Sequence, residues 1–225
     1  MNLVTICTED WVDKHLVRWV RYVKKNAPES RLFLIFAGRI RRDLPVLGEF
    51  ENIREFDANA AGRWFYNSIR MEATELFGVA PMLYLDADAD VIGKLEIEHE
   101  PGKIGACRSP VTHPAWNRWC GEHGLGVCNQ VEFNNGTVVL DKSYKDEYAL
   151  AWEEAAKAEY CSERIRGTIA FNIMLQKVEK YTLPYVYGNI WWDLRNAFDA
   201  RVIQYCNDEG QKKRVELERL WRAAL

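Results

Sequence analysis

Two short, uniformly apolar runs bracket an amphipathic segment at the start of the chain, and that order restricts the fold more than any other feature. "LVTICT" (3–8) and "RLFLIFAG" (31–38) lack the alternation of a half-exposed strand and read as strands covered on both faces. Between them, "WVDKHLVRWVRYVKKNA" places Trp11, Leu16, Trp19, Val20 and Val23 near one helical face. Asp10 stands where a helix cap is needed, Lys24 and Lys25 where the dipole favours cations, and Pro28 ends the segment. Strand, helix and strand in succession specify parallel pairing. The fold class expected is α/β, with a mostly parallel central sheet flanked by helices.

The rest of the chain continues the alternation. "NIREFDA" (52–58) reads as a third strand, and residues 62–78 as a helix closing at Gly78. Pro81 opens the strand "PMLYLDAD"; "KIGACRS" (103–109), "EFNNGTVVLD" (132–141) and "RVIQYCN" (201–207) supply three more. Helices are expected over 143–160 and 166–178, and "QKKRVELERLWRAAL" closes the chain with Leu217, Leu220, Trp221 and Leu225 on one stripe, expected to pack on its own core. Residues 110–131, with Pro110, Pro114, Gly121, Gly124 and Gly126, carry no element and read as a functional or mobile loop.

At 225 residues with 48% apolar content and no linker or repeat, the chain is read as a single domain, 1–225. A net charge of −3 gives no general attraction to phosphate backbones, so nucleic-acid binding is not indicated by charge. Arg39, Arg41 and Arg42 read as a solvated loop. "MNLVTICTEDW" lacks the basic start and long apolar core of a signal peptide, and no run approaches the roughly 20 apolar residues that span a bilayer. The expectation is a cytoplasmic protein without a membrane span. Its six cysteines are scattered and read as reduced thiols. Cys120, His123 and Cys128, with Cys107, form only a loose zinc-like pattern.

"LYLDADADVIG" (83–93) carries the chemistry. A buried strand runs directly into Asp86, Asp88 and Asp90. Ligands of open α/β sheets bind at the carboxyl ends of strands. If the extended backbone continues, the three carboxylates point the same way and resist ionisation unless a cation neutralises them. A hard divalent metal with oxygen ligands suits such a group, and it can hold the diphosphate of a nucleotide substrate. The plain alternative is a polar turn at a strand end.

These residues resemble the Asp-x-Asp segment of glycosyltransferases of the GT-A fold, above all family 8, the glycogenin and galactosyltransferase-like group. "VTICTEDWVDKHLVRWVRYVKKNAP" resembles that family's opening strand and helix, "FNNGTVVLD" its F-N-x-G strand, and "LPYVYGN" its Leu-Pro…Asn segment. The resemblance implies a single Rossmann-like GT-A domain that moves a sugar from a nucleotide-diphosphate sugar, UDP-linked, using Mn2+ or Mg2+, to an unidentified acceptor: a glycan, a protein or another hydroxyl. It implies Asp86 and Asp88 as metal ligands, with Asp86 also at the ribose, and Arg70 on the donor sugar or phosphates. It places Thr8 at the nucleotide turn, Asn134 and Gly136 at the sugar pocket, and Asn172 and Asn189 in the family's later site segments. Two departures stand out. Gln204 occupies the place of the family's metal-binding His and would have to complete the site with an amide oxygen, or Asp208 substitute for it. Lys212 or Lys213 would have to supply the phosphate contact. The family's Asp-Gln pair ahead of Asn172 is missing from "RGTIAFN".

Family relatives retain configuration and need no dedicated base. An inverting enzyme would need one, and Glu132, Asp141 and Glu163 are the candidates by position. The tryptophans of "PAWNRW" and "NIWWDL" are candidate acceptor platforms, with core packing the alternative. Competing functions are a nucleotidyltransferase, disfavoured because "CTEDW" is no Gly-rich phosphate loop, and a nucleotide-sugar-binding homologue without turnover.

Overall fold

The computed structural model describes residues 1–41, 43–57, 63–110, 112–126, 131–190, 199–205 and 208–223, with the backbone alone at 63–65, 189–190, 208 and 217–223. The opening runs form β1 (Asn2–Thr8) and β2 (Arg31–Ala37), paired in parallel along their length. β3 (Asn52–Phe56) extends the sheet beyond β2. On the other side of β1 lies β4 (Met82–Leu85), again parallel. β6 (Ile104–Arg108), β7 (Phe133–Leu140) and β8 (Lys180–Leu183) complete a seven-stranded sheet of order β3-β2-β1-β4-β7-β6-β8. β7 is the reversed strand, antiparallel to both β4 and β6. That reversal matters for the site, because it carries the start of β7 to the carboxyl ends of its neighbours.

Strand alternation divides the core between the two faces. Val4 and Ile6 of β1, with Met82 and Tyr84 of β4, pack under α2 (Arg63–Ile69), α3 (Ala73–Phe77), α4 (Pro114–Glu122), α5 (Lys145–Ala156) and α6 (Glu163–Lys177). Leu3 and Cys7, with Leu83 and Leu85, face α1 (Val17–Asn26). Gly78 closes α3 in the left-handed conformation at φ 63°, the expected C-cap. β5 (Ala89–Val91), β9 (Asn189–Ile190) and β10 (Val202–Gln204) make a separate three-stranded sheet of order β5-β10-β9. α7 (Asp208–Ala223) closes the chain. The expected packing of Leu217, Leu220, Trp221 and Leu225 lies outside the described side chains. Among the described residues no helix is long and apolar enough to cross a membrane.

Several expectations are corrected. Asp10 caps no helix: the chain leaves β1 through a 3-10 turn (Glu9–Trp11) and a π turn (Val12–Leu16) before α1 begins, and neither has a side-chain cap. Leu16, Trp19, Val20 and Val23 are buried as expected, but Trp11 is 41% exposed. The segment 110–131 contains α4. Pro114 sits at the first helical turn, where no N–H is needed, and His113 Nδ1 accepts from Ala115 N at 3.1 Å. Read as breakers, the prolines concealed a helix whose apolar positions 115, 116, 119 and 120 already follow helical spacing. Trp116 and Trp119 stack at 5.1 Å inside the core, so they cannot serve as an acceptor platform. Trp191 and Trp192 lie outside the described residues. Cys107 and Cys120 belong to cores on opposite faces of the sheet and cannot share a zinc ion, and Cys128 lies outside the described residues. Cys7, Cys107, Cys120 and Cys161 are free buried thiols.

Candidate active site

At the carboxyl ends of β1 and β4, an open cleft of about 500 Å³ cuts into the molecule. Thr8 and Trp11 form one wall, Asn67 and Arg70 from α2 and the turn after it another, and Gly167 and Thr168 of α6 a third. Asp86 and Asp88 stand on its floor.

The row of aspartates is split. β4 stops at Leu85, a turn follows at Ala87 and Asp88, and β5 starts at Ala89. Asp86 stays on the α2 side, where its Oδ1 accepts from the Tyr84 hydroxyl at 2.6 Å and its N–H donates to Gly136 O at 3.0 Å. Asp88 is 8% exposed, and its Oδ1 is buried without a hydrogen-bond partner. Burial raises the pKa of both carboxyls; Asp88 reaches about 7, with the charge of Asp86 as the second cause. Asp90 points elsewhere. It is wholly buried between Arg18, whose Nη2 lies 2.8 Å from Oδ2, and Arg214 of α7, whose Nε lies 3.1 Å from Oδ2. Among the described residues no three His, Cys, Asp or Glu side chains converge as a metal-holding group.

Arg70 is buried in the cleft wall. Its Nη1 donates to Asn135 O at 2.9 Å, its Nη2 to Asn67 Oδ1 at 2.7 Å, and its guanidinium lies 5.5 Å from the Tyr84 ring centroid. Its Nε has no partner. Gly136 is required by crowding from the protein itself, since a Cβ there would meet Asp86 Oδ2 and Gln204 Nε2, each at 2.3 Å. Asn134 turns inward, its Oδ1 accepting from Gly136 N at 2.8 Å and its Nδ2 donating to Gln204 Oε1 at 2.7 Å.

Other expected residues stand apart from the cleft. Asn172 is wholly buried: Oδ1 accepts from Phe133 N at 2.7 Å, and Nδ2 donates to Phe133 O at 3.0 Å and Thr168 O at 2.9 Å. It staples α6 to β7, with its polar atoms committed to backbone. Lys212 is exposed on α7 and does not line the cleft. Asn189 pairs with Ile203 through β9, but its side chain, like that of Asp208, lies outside the described residues.

None of the three base candidates lines the cleft. Asp141 accepts from Gly102 N and pairs with His99, and Glu163 is exposed at the start of α6. Glu132 is buried, its Oε2 accepting from His113 N at 2.6 Å, and burial lifts its pKa to about 7. A raised folded pKa means the folded chain keeps a proton that the unfolded chain releases. Glu132 therefore costs nothing below about pH 4.5, erodes stability as pH rises to about 7, and exacts the full cost above. Glu132→Gln should keep the acceptor to His113 and flatten this decline. Melts at pH 5 and pH 8 should show the variant gaining on the order of 2 kcal/mol at the higher pH only.

Sequence reasoning missed Trp11 and Asn67. Trp11 was absorbed into the helical stripe, because periodicity does not register the 3-10 and π turns that rotate it outward. It packs on His15 with ring centroids 4.4 Å apart. Asn67 left no motif; it is visible only through its hydrogen bond from Arg70 and its contact with Gly167, where a Cβ would meet its Oδ1 at 2.5 Å.

The mixed sheet, with paired carboxylates where its fourth strand ends, defines an α/β protein with the GT-A glycosyltransferase fold. The galactosyltransferase LgtC, solved in complex with donor and acceptor sugar analogs, matches with a TM-score of 0.63 at 16% identity, over 92% of this chain and 88% of that one. The glycosyltransferase GlyE of Streptococcus pneumoniae TIGR4 matches at 0.61 and 15%, over 92% of this chain and 54% of that one. The bifunctional enzyme WbbM matches at 0.62 and 12%, over 92% and 46%. No family model and no curated protein matches the chain. At these identities the likeness is one of fold.

Proposed function

We propose that the chain transfers a sugar from a nucleotide-diphosphate sugar, UDP-linked, to the hydroxyl of a glycan, protein or other acceptor, with the help of Mn2+ or Mg2+. One observation carries the reading: the half-buried Asp86 and the buried Asp88 line the cleft together, and the Oδ1 of Asp88 lacks any hydrogen-bond partner. Like charges held in that way call for a cation. Magnesium in particular is bound by one or two carboxylates together with substrate phosphates, so Asp86 and Asp88 fit the ion. When bound, it would supply positive charge to the diphosphate leaving group.

The chain's own groups then have distinct tasks. Trp11 offers an exposed aromatic face beside Thr8, suited to a nucleotide base. Arg70 adds fixed positive charge to the wall above Asp86, in a site where it need not reorganise as the diphosphate departs. Tyr84 holds the Asp86 carboxylate in place. Among the described residues no carboxylate other than Asp86 and Asp88 lines the cleft, which favours transfer with retention, where no separate base is needed.

A second reading is a homologue that binds nucleotide sugars without turnover, favoured by the committed side chain of Asn172. Calorimetry with UDP and Mn2+, followed by a nucleotide-sugar panel for hydrolysis and transfer, separates the two. Binding with neither hydrolysis nor transfer selects the second, and absence of any binding removes both. Trp11→Ala should weaken UDP about tenfold, within the roughly 1–3 kcal/mol of a base–aromatic stack, with an unchanged melting temperature.

A further inference from the structure

Gln204 of β10 is buried beside Gly136 and Asp86, behind the residues that line the cleft, and its amide has a fixed direction. Gly136 N–H donates to Asn134 Oδ1, so Asn134 presents its Nδ2 to Gln204. The atom that receives it must be Oε1. Nε2 is left to donate to Thr137 Oγ1 at 3.1 Å. Exchanging the two Gln204 atoms would set two N–H2 groups face to face. Exchanging those of Asn134 as well would set its N–H2 against the Gly136 N–H. The end of Gln204 turned toward Asp86 is therefore nitrogen: the Cβ position above Gly136 is 2.3 Å from both Nε2 and Asp86 Oδ2. An amide N–H2 offers donors to its surroundings and no oxygen to a hard cation.

We infer that Gln204 is not a ligand of the divalent cation but a strap between β10 and β7, and that Asp86 and Asp88 are the only described side chains that hold the ion. Asp86 keeps its own anchors to Tyr84 and Gly136, so its position does not depend on the strap. Any further ligands of the ion would come from the nucleotide diphosphate and water. This rests on the proposed reading of the site.

The test is a titration of Mn2+, followed by electron paramagnetic resonance in saturating UDP, for the wild type, Gln204→Met and Gln204→Leu. The methionine variant keeps the volume and removes the amide. Its Mn2+ affinity should stay within threefold of the wild type, while its ligand-free melting temperature falls. The leucine variant removes the amide in a second way and should behave in the same manner. A loss of more than threefold in either variant overturns the inference and leaves the proposed function standing. A wild-type protein that binds no Mn2+ in the presence of UDP overturns both.

Discussion

Asp88→Asn should do two opposite things: raise the melting temperature of the ligand-free protein at pH 8, and lower any metal-dependent transfer roughly 10²–10³-fold. The stability change follows from linkage. Asp88 is buried beside Asp86, and its pKa is lifted to about 7. Below about pH 4 the carboxyl is protonated in both folded and unfolded chains and costs nothing. As pH rises toward 7 the unfolded chain ionises first, so folded stability declines, and above 7 the folded protein carries the full penalty. That penalty is on the order of a few kcal/mol. The asparagine carries no charge and escapes it. Wild type and variant should therefore melt together at pH 4 and diverge by pH 8. Adding Mn2+ with UDP should reverse the order, because the wild type gains a ligand that the variant cannot hold. If Asp88→Asn is no more stable at pH 8, or still binds Mn2+ with UDP as well as the wild type, the role given to Asp88 is wrong.

Asp90→Ala should be among the most damaging single changes outside the cleft. It removes the partner of Arg214, which is 3% exposed and reaches Asp90 from α7. Arg214 Nη1 also contacts Gln211 Oε1 at 3.1 Å and His15 Nδ1 at 3.2 Å. His15 can accept that bond because burial, and then the charge of Arg214, lowers its pKa to about 4, leaving the ring neutral. Without Asp90, the buried guanidinium keeps, among the described residues, hydrogen bonds to neutral groups only. Breaking one side of a buried ion pair costs about 3–5 kcal/mol, which for a chain of this length is a drop on the order of 10 °C. Asp90→Leu combined with Arg214→Met should recover most of the loss, since a buried pair is often replaceable by apolar groups of similar volume. Urea melts of both singles and the double form the cycle. The exposed Arg31–Glu51 pair gives the contrast, and its removal should leave the melt unchanged.

The legible parts of this protein were those written in local periodicity. Apolar runs without alternation placed β1, β2 and β4 to within a few residues, and Gly78 marked the end of α3. Asp86 and Asp88 were found because a buried strand seldom runs into carboxylates. β8 was missed because "KYTL" is short and mostly polar, and nothing local distinguishes it from coil. α4 was missed because Pro114 has one meaning inside a helix and another at its first turn.

The sequence by itself determined the layered α/β architecture and the arrival of two carboxylates at a strand end, because burial of a strand and the side to which its residues point are properties of neighbours in the chain. Only the tertiary structure decided what each acidic or amide group does there. Asp90 leaves the acidic row for arginines 72 and 124 residues away, and the direction of Gln204 is set by Asn134, 70 residues distant. Charges and amide dipoles act through space, and their partners are not neighbours until the chain has folded.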